Sequence, residues 1–137
     1  MSQFILKSVR DDRRLVLTPA ENKSFRASIE GYNLNATVSV RDTGETVPFA
    51  RFWRDIATSK GWSGAKRWSS RDADFQLEAT SGEHGHIGIQ CQLRCGAPAG
   101  WRLRVWLFTE ASALDALAVQ AAEFMRAVRP DFPIESL

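Results

Sequence analysis

Two histidines, two cysteines and a group of arginines interleaved with tryptophans are the side chains of this sequence best equipped for chemistry. His84 and His86 stand two apart beside Glu83. On a strand, side chains at i and i+2 point the same way, so both imidazoles can reach one metal ion. Glu83 has the opposite parity, and Gln90, further along the same face, is a poor zinc ligand. A catalytic site also needs a third ligand from elsewhere in the chain. The competing reading of His84 and His86 is a polar turn with exposed imidazoles, and no metal or other cofactor is expected.

Cys91 and Cys95 are four residues apart on a predicted strand. At about 3.3 Å of rise per residue their Cα atoms stand roughly 13 Å apart, whereas a disulfide needs less than about 7 Å. Both fall on the apolar parity, where a free cysteine behaves as a small hydrophobe, so both are expected in the core. A redox or metal pair calls for the shorter C-x-x-C spacing. The G-x-S-x-G turn of a serine nucleophile is missing, and the glycines are scattered rather than gathered into a phosphate loop or dinucleotide fingerprint. Glu30 and Glu78 stand on outward parities. Paired carboxylates suit glycoside chemistry, but among so many arginines these two read better as cross-strand charge partners.

Behind these residues stands the hairpin His84 to Thr109. Ile87, Ile89, Cys91, Leu93 and Cys95 alternate with His84, His86, Gln90, Gln92 and Arg94. Beyond a Gly/Pro turn at 96–100, Trp101, Leu103, Val105 and Leu107 alternate with Arg102, Arg104, Trp106 and Phe108. Period-2 alternation marks half-buried strands, so one face of the hairpin is core and the other is basic and partly aromatic. Arg26 and Arg41, on outward parities of earlier strands, are expected to add to that face.

Taken in order, residues 3–10 and 13–18 form an opening hairpin, followed by a loop over 18–23. Phe25, Ala27 and Ile29, then Leu34, Ala36, Val38 and Val40, face inward from two further strands in meander order. After a break at 42–45 the period changes to 3.6. Phe49, Phe52, Trp53 and Ile56 predict an amphipathic helix over 47–60, with Pro48 in its first turn and Gly61 as its stop. The connection 61–71 carries Trp62, Arg67 and Trp68. It reads as a loop pinned to the core by its tryptophans, or as a cleft rim where Arg67 receives an acidic group between aromatic walls. Strands over 73–80, 84–95 and 100–109 follow, then a helix over 112–128 opened by a Ser112/Asp115 capping box and ended by Pro130. The tail 131–137 is short and lightly packed in this reading. The order β-β-β-β-α-β-β-β-α predicts one α+β domain over 1–137, an antiparallel sheet of about seven strands with two helices on one face.

Composition bounds the function. A chain of 137 residues with 44% hydrophobic and 25% charged residues is an ordinary globular domain able to bury a core without staples. Its formal net charge of +2 implies no broad nucleic-acid footprint. Neither a secretory leader nor a run of membrane-span length is visible, which predicts a soluble, cytoplasmic protein with no membrane partner.

Several of these features recur together: the helix ending before Gly61-Trp62, the stretch Lys66-Arg67-Trp68-Ser69-Ser70, the strand Phe75 to Thr80, and Gly85-His86-Ile87 followed by a Trp101 strand. In this the chain resembles, over about residues 45–128, a family of small bacterial proteins catalogued only as a domain of unknown function. Some of these look like immunity proteins of cell-wall-associated polymorphic toxins. The resemblance implies a protein partner and no catalytic residues.

The expectation is therefore a non-catalytic binding protein, an immunity or inhibitor protein that meets a toxin domain through Arg94, Arg102, Arg104, Trp106 and Phe108. Arginine and aromatic residues are enriched at binding hot spots. Two alternatives stand beside it. One is a small-molecule binder or enzyme with a pocket between helix 47–60 and the 61–71 connection, using Trp62, Arg67 and Trp68. The other is a single-stranded nucleic-acid binder that stacks bases on the aromatic face. A last reading has Trp106 and Phe108 covered by the N-terminal hairpin or by a homodimer partner.

Overall fold

The computed structural model describes residues 2–42, 47–59, 61–96 and 100–130. The predicted break at 43–45, the helix end at 60, the turn residues 97–99 and the tail 131–137 lie outside the described residues. Within them the chain is α+β, with eight strands and two α-helices.

The first four strands are β1 (Phe4–Lys7), β2 (Arg14–Ala20), β3 (Ser24–Gly31) and β4 (Leu34–Arg41), paired antiparallel in the order β1-β2-β3-β4. Helix α1 (Phe49–Ser59) intervenes. Then β5 (Ala65–Ser69), β6 (Phe75–Ser81), β7 (His86–Cys95) and β8 (Trp101–Glu110) form a second antiparallel meander, and α2 (Leu114–Val128) closes the fold.

The expected single sheet of about seven strands is thus two sheets of four. Alternation reports which face of a strand is buried and says nothing of which strands are neighbours. The eighth strand, β5, lies inside the predicted 61–71 connection and escapes the pattern because only Trp68 of its five residues is buried. The predicted loop at 18–23 is shorter, since Thr18, Pro19 and Ala20 continue β2 against Arg26, Phe25 and Ser24.

The sheets meet along one corner. Val9 N–H donates to Phe108 O at 2.8 Å, and Ser8 Oγ accepts from Phe108 N–H at 3.1 Å. Their inner faces pack on one core, where the Phe25 and Phe75 rings meet edge to face at 6.2 Å. The aromatic stripe of α1 fills the centre. Phe49, Phe52, Trp53 and Ile56 are all buried, and the Phe49 ring lies 5.1 Å from Phe4, 5.2 Å from Trp68, 6.0 Å from Phe124 and 6.1 Å from Phe75. Such pairs add about 0.5–1.5 kcal/mol each beyond area burial, so one helix residue fastens both sheets and α2 together.

The helix ends differ in detail from the sequence reading. Phe52 N–H donates to Pro48 O, which places Pro48 ahead of the first turn. Gly61 takes φ +96 just past α1, a conformation suited to glycine. Ser112 falls in a 3-10 turn over Ala111–Ala113, and α2 starts without a side-chain cap, so the capping box does not form. At the far end Arg129 Nε stands 3.7 Å from the nearly buried Asp42 carboxylate, tying the end of β4 to the end of α2.

Candidate functional site

The outer face of the second sheet is assembled by register. Arg67 faces Glu78, Glu78 faces Gln90, and Gln90 faces Trp106. One row along, Ser69, Gln76, Gln92 and Arg104 lie side by side across all four strands. Those four are linked. Gln76 Nε2 donates to Ser69 Oγ at 3.3 Å, and Gln92 Nε2 donates to Gln76 Oε1 at 2.7 Å. Arg104 donates from Nε and Nη2 to Gln92 Oε1 at 3.2 and 3.1 Å. The relay holds the exposed guanidinium of Arg104 in one orientation beside a surface depression of about 420 Å³.

Arg94 and Arg102 lie directly opposite one another on β7 and β8. Like charges so placed repel. Arg94 turns away, donating from Nη2 to the Asp72 carbonyl at 2.8 Å, which leaves Arg102 exposed on the face.

Trp106 rests on Gly88. A Cβ at that glycine would stand 3.2 Å from Trp106 Cζ3, so the missing side chain is what lets the indole lie close to the sheet. Trp106 and Phe108 are stacked at 6.4 Å with 17° between their planes, and the Arg10 guanidinium sits 4.1 Å above the Phe108 ring. The loop after β1 therefore reaches Phe108 through Arg10, and both Trp106 and Phe108 are partly buried.

Other candidate residues are placed differently. Arg67 and Trp68 are consecutive in β5 and point to opposite faces. Arg67 pairs with Glu78 at 3.3 Å on the outside, whereas Trp68 is buried and donates its indole N–H to Val47 O at 2.7 Å. Trp62 donates to Ala79 O at 3.2 Å. The three therefore do not build an Arg67 cleft between aromatic walls. Trp68, 5.2 Å from Phe49, fills the space between α1 and β5 where a small-molecule pocket was expected. Arg26 and Arg41 belong to the first sheet and do not join the basic face of the second.

His84 lies in a 3-10 turn with φ 58, not on a strand, so His84 and His86 lose the shared parity that suggested a metal. Among the described residues no three His, Cys, Asp or Glu side chains gather to hold an ion. Glu30 and Glu78 are on separate sheets, and each is salt-bridged to the arginine opposite it in register, Arg14 at 2.8 Å and Arg67 at 3.3 Å.

Cys91 is fully buried, and desolvation pushes its thiol pKa up. Cys95 is exposed, contrary to its parity, as is its neighbour Trp101 at 39%. They face each other at the open end of the β7–β8 pair, where the strands run beyond the core.

Sequence reasoning missed Arg10 and the positioning role of Gly88. An interior glycine on the outward parity of a strand is a signal of close approach, while nothing local marks Arg10.

The chain matches no curated protein and no solved structure. A family model described as a family of unknown function, DUF6228, matches residues 12–128. The likeness read over about 45–128 thus reaches back through most of the first sheet, and the chain belongs to this family of unknown function.

Proposed function

We propose that this chain is a non-catalytic binding protein that docks an acidic protein surface on the outer face of its second sheet. The observation that carries the reading is the grouping of Arg102, Arg104 and Trp106 on one solvent-facing surface, with Arg104 already held by the Gln92 amide. A guanidinium fixed before contact loses less conformational freedom on binding. Its planar fork suits a carboxylate, and arginine with tryptophan is the composition of interface hot spots.

Within that class we propose an immunity protein whose partner is a toxin domain. Occlusion of a toxin asks for charge complementarity and buried anchors, and it asks for no reactive group.

The test is calorimetric titration of the chain against the purified product of an adjacent toxin gene. Arg104→Ala or Trp106→Ala is expected to weaken binding by more than about 1 kcal/mol, roughly fivefold. Full affinity in both variants refutes the assignment to this face. Retention of single-stranded oligonucleotides that falls steeply with salt would move the function to nucleic acid instead.

A further inference from the structure

Each end of a four-stranded sheet exposes a row of backbone N–H and C=O groups that can template another strand, and proteins usually blunt such edges. Three of the four edges here are blunted. Gln120 of α2 clips β1, accepting from Ile5 N–H at 2.6 Å and donating to Ile5 O at 3.3 Å. β8 is capped where Val9 N–H reaches Phe108 O, and it carries Arg102 and Arg104. β5 has only five residues, two of them Lys66 and Arg67.

β4 has none of these devices. It runs eight residues, Leu34–Arg41, pairs with β3 without a bulge, and is uncharged from Leu34 to Val40. Asn35, Thr37 and Ser39 are exposed, and among the described residues no hydrogen bond reaches the side of β4 away from β3.

We infer that β4 is a homodimerisation edge, pairing antiparallel with β4 of a second copy about a two-fold axis. The strand is complementary to itself. With Thr37 opposite Thr37, Asn35 faces Ser39, Ala36 faces Val38 and Leu34 faces Val40, while Arg41 falls beyond the uncharged stretch. Residues opposite one another share a face, and Thr–Thr and aliphatic pairs are favourable there. Leu34 and Ala36 are only half-buried in one copy, and this register sets Val40 and Val38 of the second copy beside them. The contact is isologous and closes at two. It joins two first sheets into one continuous sheet and uses no residue of the proposed basic face.

Sedimentation equilibrium of the full chain across the micromolar range tests this. The wild type is expected to show a monomer–dimer equilibrium. The Thr37→Lys/Ser39→Lys variant is expected to be monomeric throughout with an unchanged far-UV spectrum, because the lysine at 37 would face its own copy across the axis and the lysine at 39, opposite Asn35, would add a like charge diagonal to it. Thr18→Lys, two strands from the edge, is expected to dimerise as the wild type does. A monomeric wild type at the highest concentration overturns the proposal and leaves the edge to a strand from another protein. A dimer that survives Thr37→Lys/Ser39→Lys overturns it by placing the contact elsewhere.

Discussion

Replacing Gln120 by alanine strips β1 of its cover. The Gln120 amide closes two bonds on one residue of the edge strand, with Ile5 N–H at 2.6 Å and Ile5 O at 3.3 Å, both in a partly buried setting. A neutral hydrogen bond contributes about 0.5–1.5 kcal/mol net, and a donor left buried without a partner costs about 1–3 kcal/mol. Alanine returns a few tenths of a kcal/mol through its higher helix propensity. Since water can reach part of the exposed edge, the lower end of the range applies, and Gln120→Ala is expected to lose about 1.5–2 kcal/mol. Urea unfolding followed by tryptophan fluorescence reads this as a lower midpoint with an unchanged slope.

Gln120→Glu separates hydrogen bonding from bulk. A carboxylate keeps the acceptor for Ile5 N–H and loses the donor to Ile5 O, so this variant is expected near half the alanine loss or somewhat beyond it. Its deficit relative to wild type should shrink below about pH 4, where a protonated carboxyl can donate again. Hydrogen exchange locates the effect: the Ile5 amide is expected to exchange faster in Gln120→Ala. Stability within about 0.5 kcal/mol of wild type, the scatter of a neutral surface change, together with unchanged Ile5 protection, would refute the reasoning.

Phe49→Ala is expected to cost about 3–5 kcal/mol by the same measurement, the range for removing a core phenylalanine, because its ring contacts Phe4, Trp53, Trp68, Phe75 and Phe124. Phe49→Leu should cost less than half as much, because it refills most of the space, and equal losses would contradict this by showing that restored volume recovers nothing and the ring contacts carry the whole effect. An aromatic disulfide reagent is expected to label Cys95 quickly in the folded chain and Cys91 only on unfolding, since Cys91 is buried with its pKa pushed up. With the folded pKa raised, Cys91 contributes stability that is present below the ordinary thiol value of about 8.5 and declines by up to about 1.4 kcal/mol per pH unit above it. Cys91→Ala should flatten that alkaline decline, and an unaltered pH profile would contradict the assignment.

The elements whose burial repeats with a clear period were legible from residue types alone. Phe25, Ala27 and Ile29 on β3, and Phe49, Phe52, Trp53 and Ile56 on α1, are buried as their spacing requires. What escaped depends on neighbours. The alternation of β6 holds against any partner strand, so it cannot tell that β5 lies beside it and that β4 belongs to the other sheet. Cys95 and Trp101 have core parity but no core beneath them. Arg10 reaches Phe108 only because Val9 hydrogen-bonds to β8, a contact 99 positions away in sequence.

The same dependence on neighbours shaped the basic face. Outward parity put seven charged residues on one presumed sheet, yet the register divides them by function. Glu78 neutralises Arg67, and Glu30 is taken up by Arg14 on the other sheet. Arg94 is diverted to the Asp72 carbonyl by its like-charged neighbour. Arg102 and Arg104 remain, beside a tryptophan seated on a glycine. A surface distilled in this way is small, and small surfaces gain most from being presented twice. Pairing through β4 would do that, because Arg102 and Arg104 lie on β8 and not on that edge, so each copy keeps its arginines free. Two such faces on one particle raise the effective concentration of the second contact without adding a single new interaction to the first.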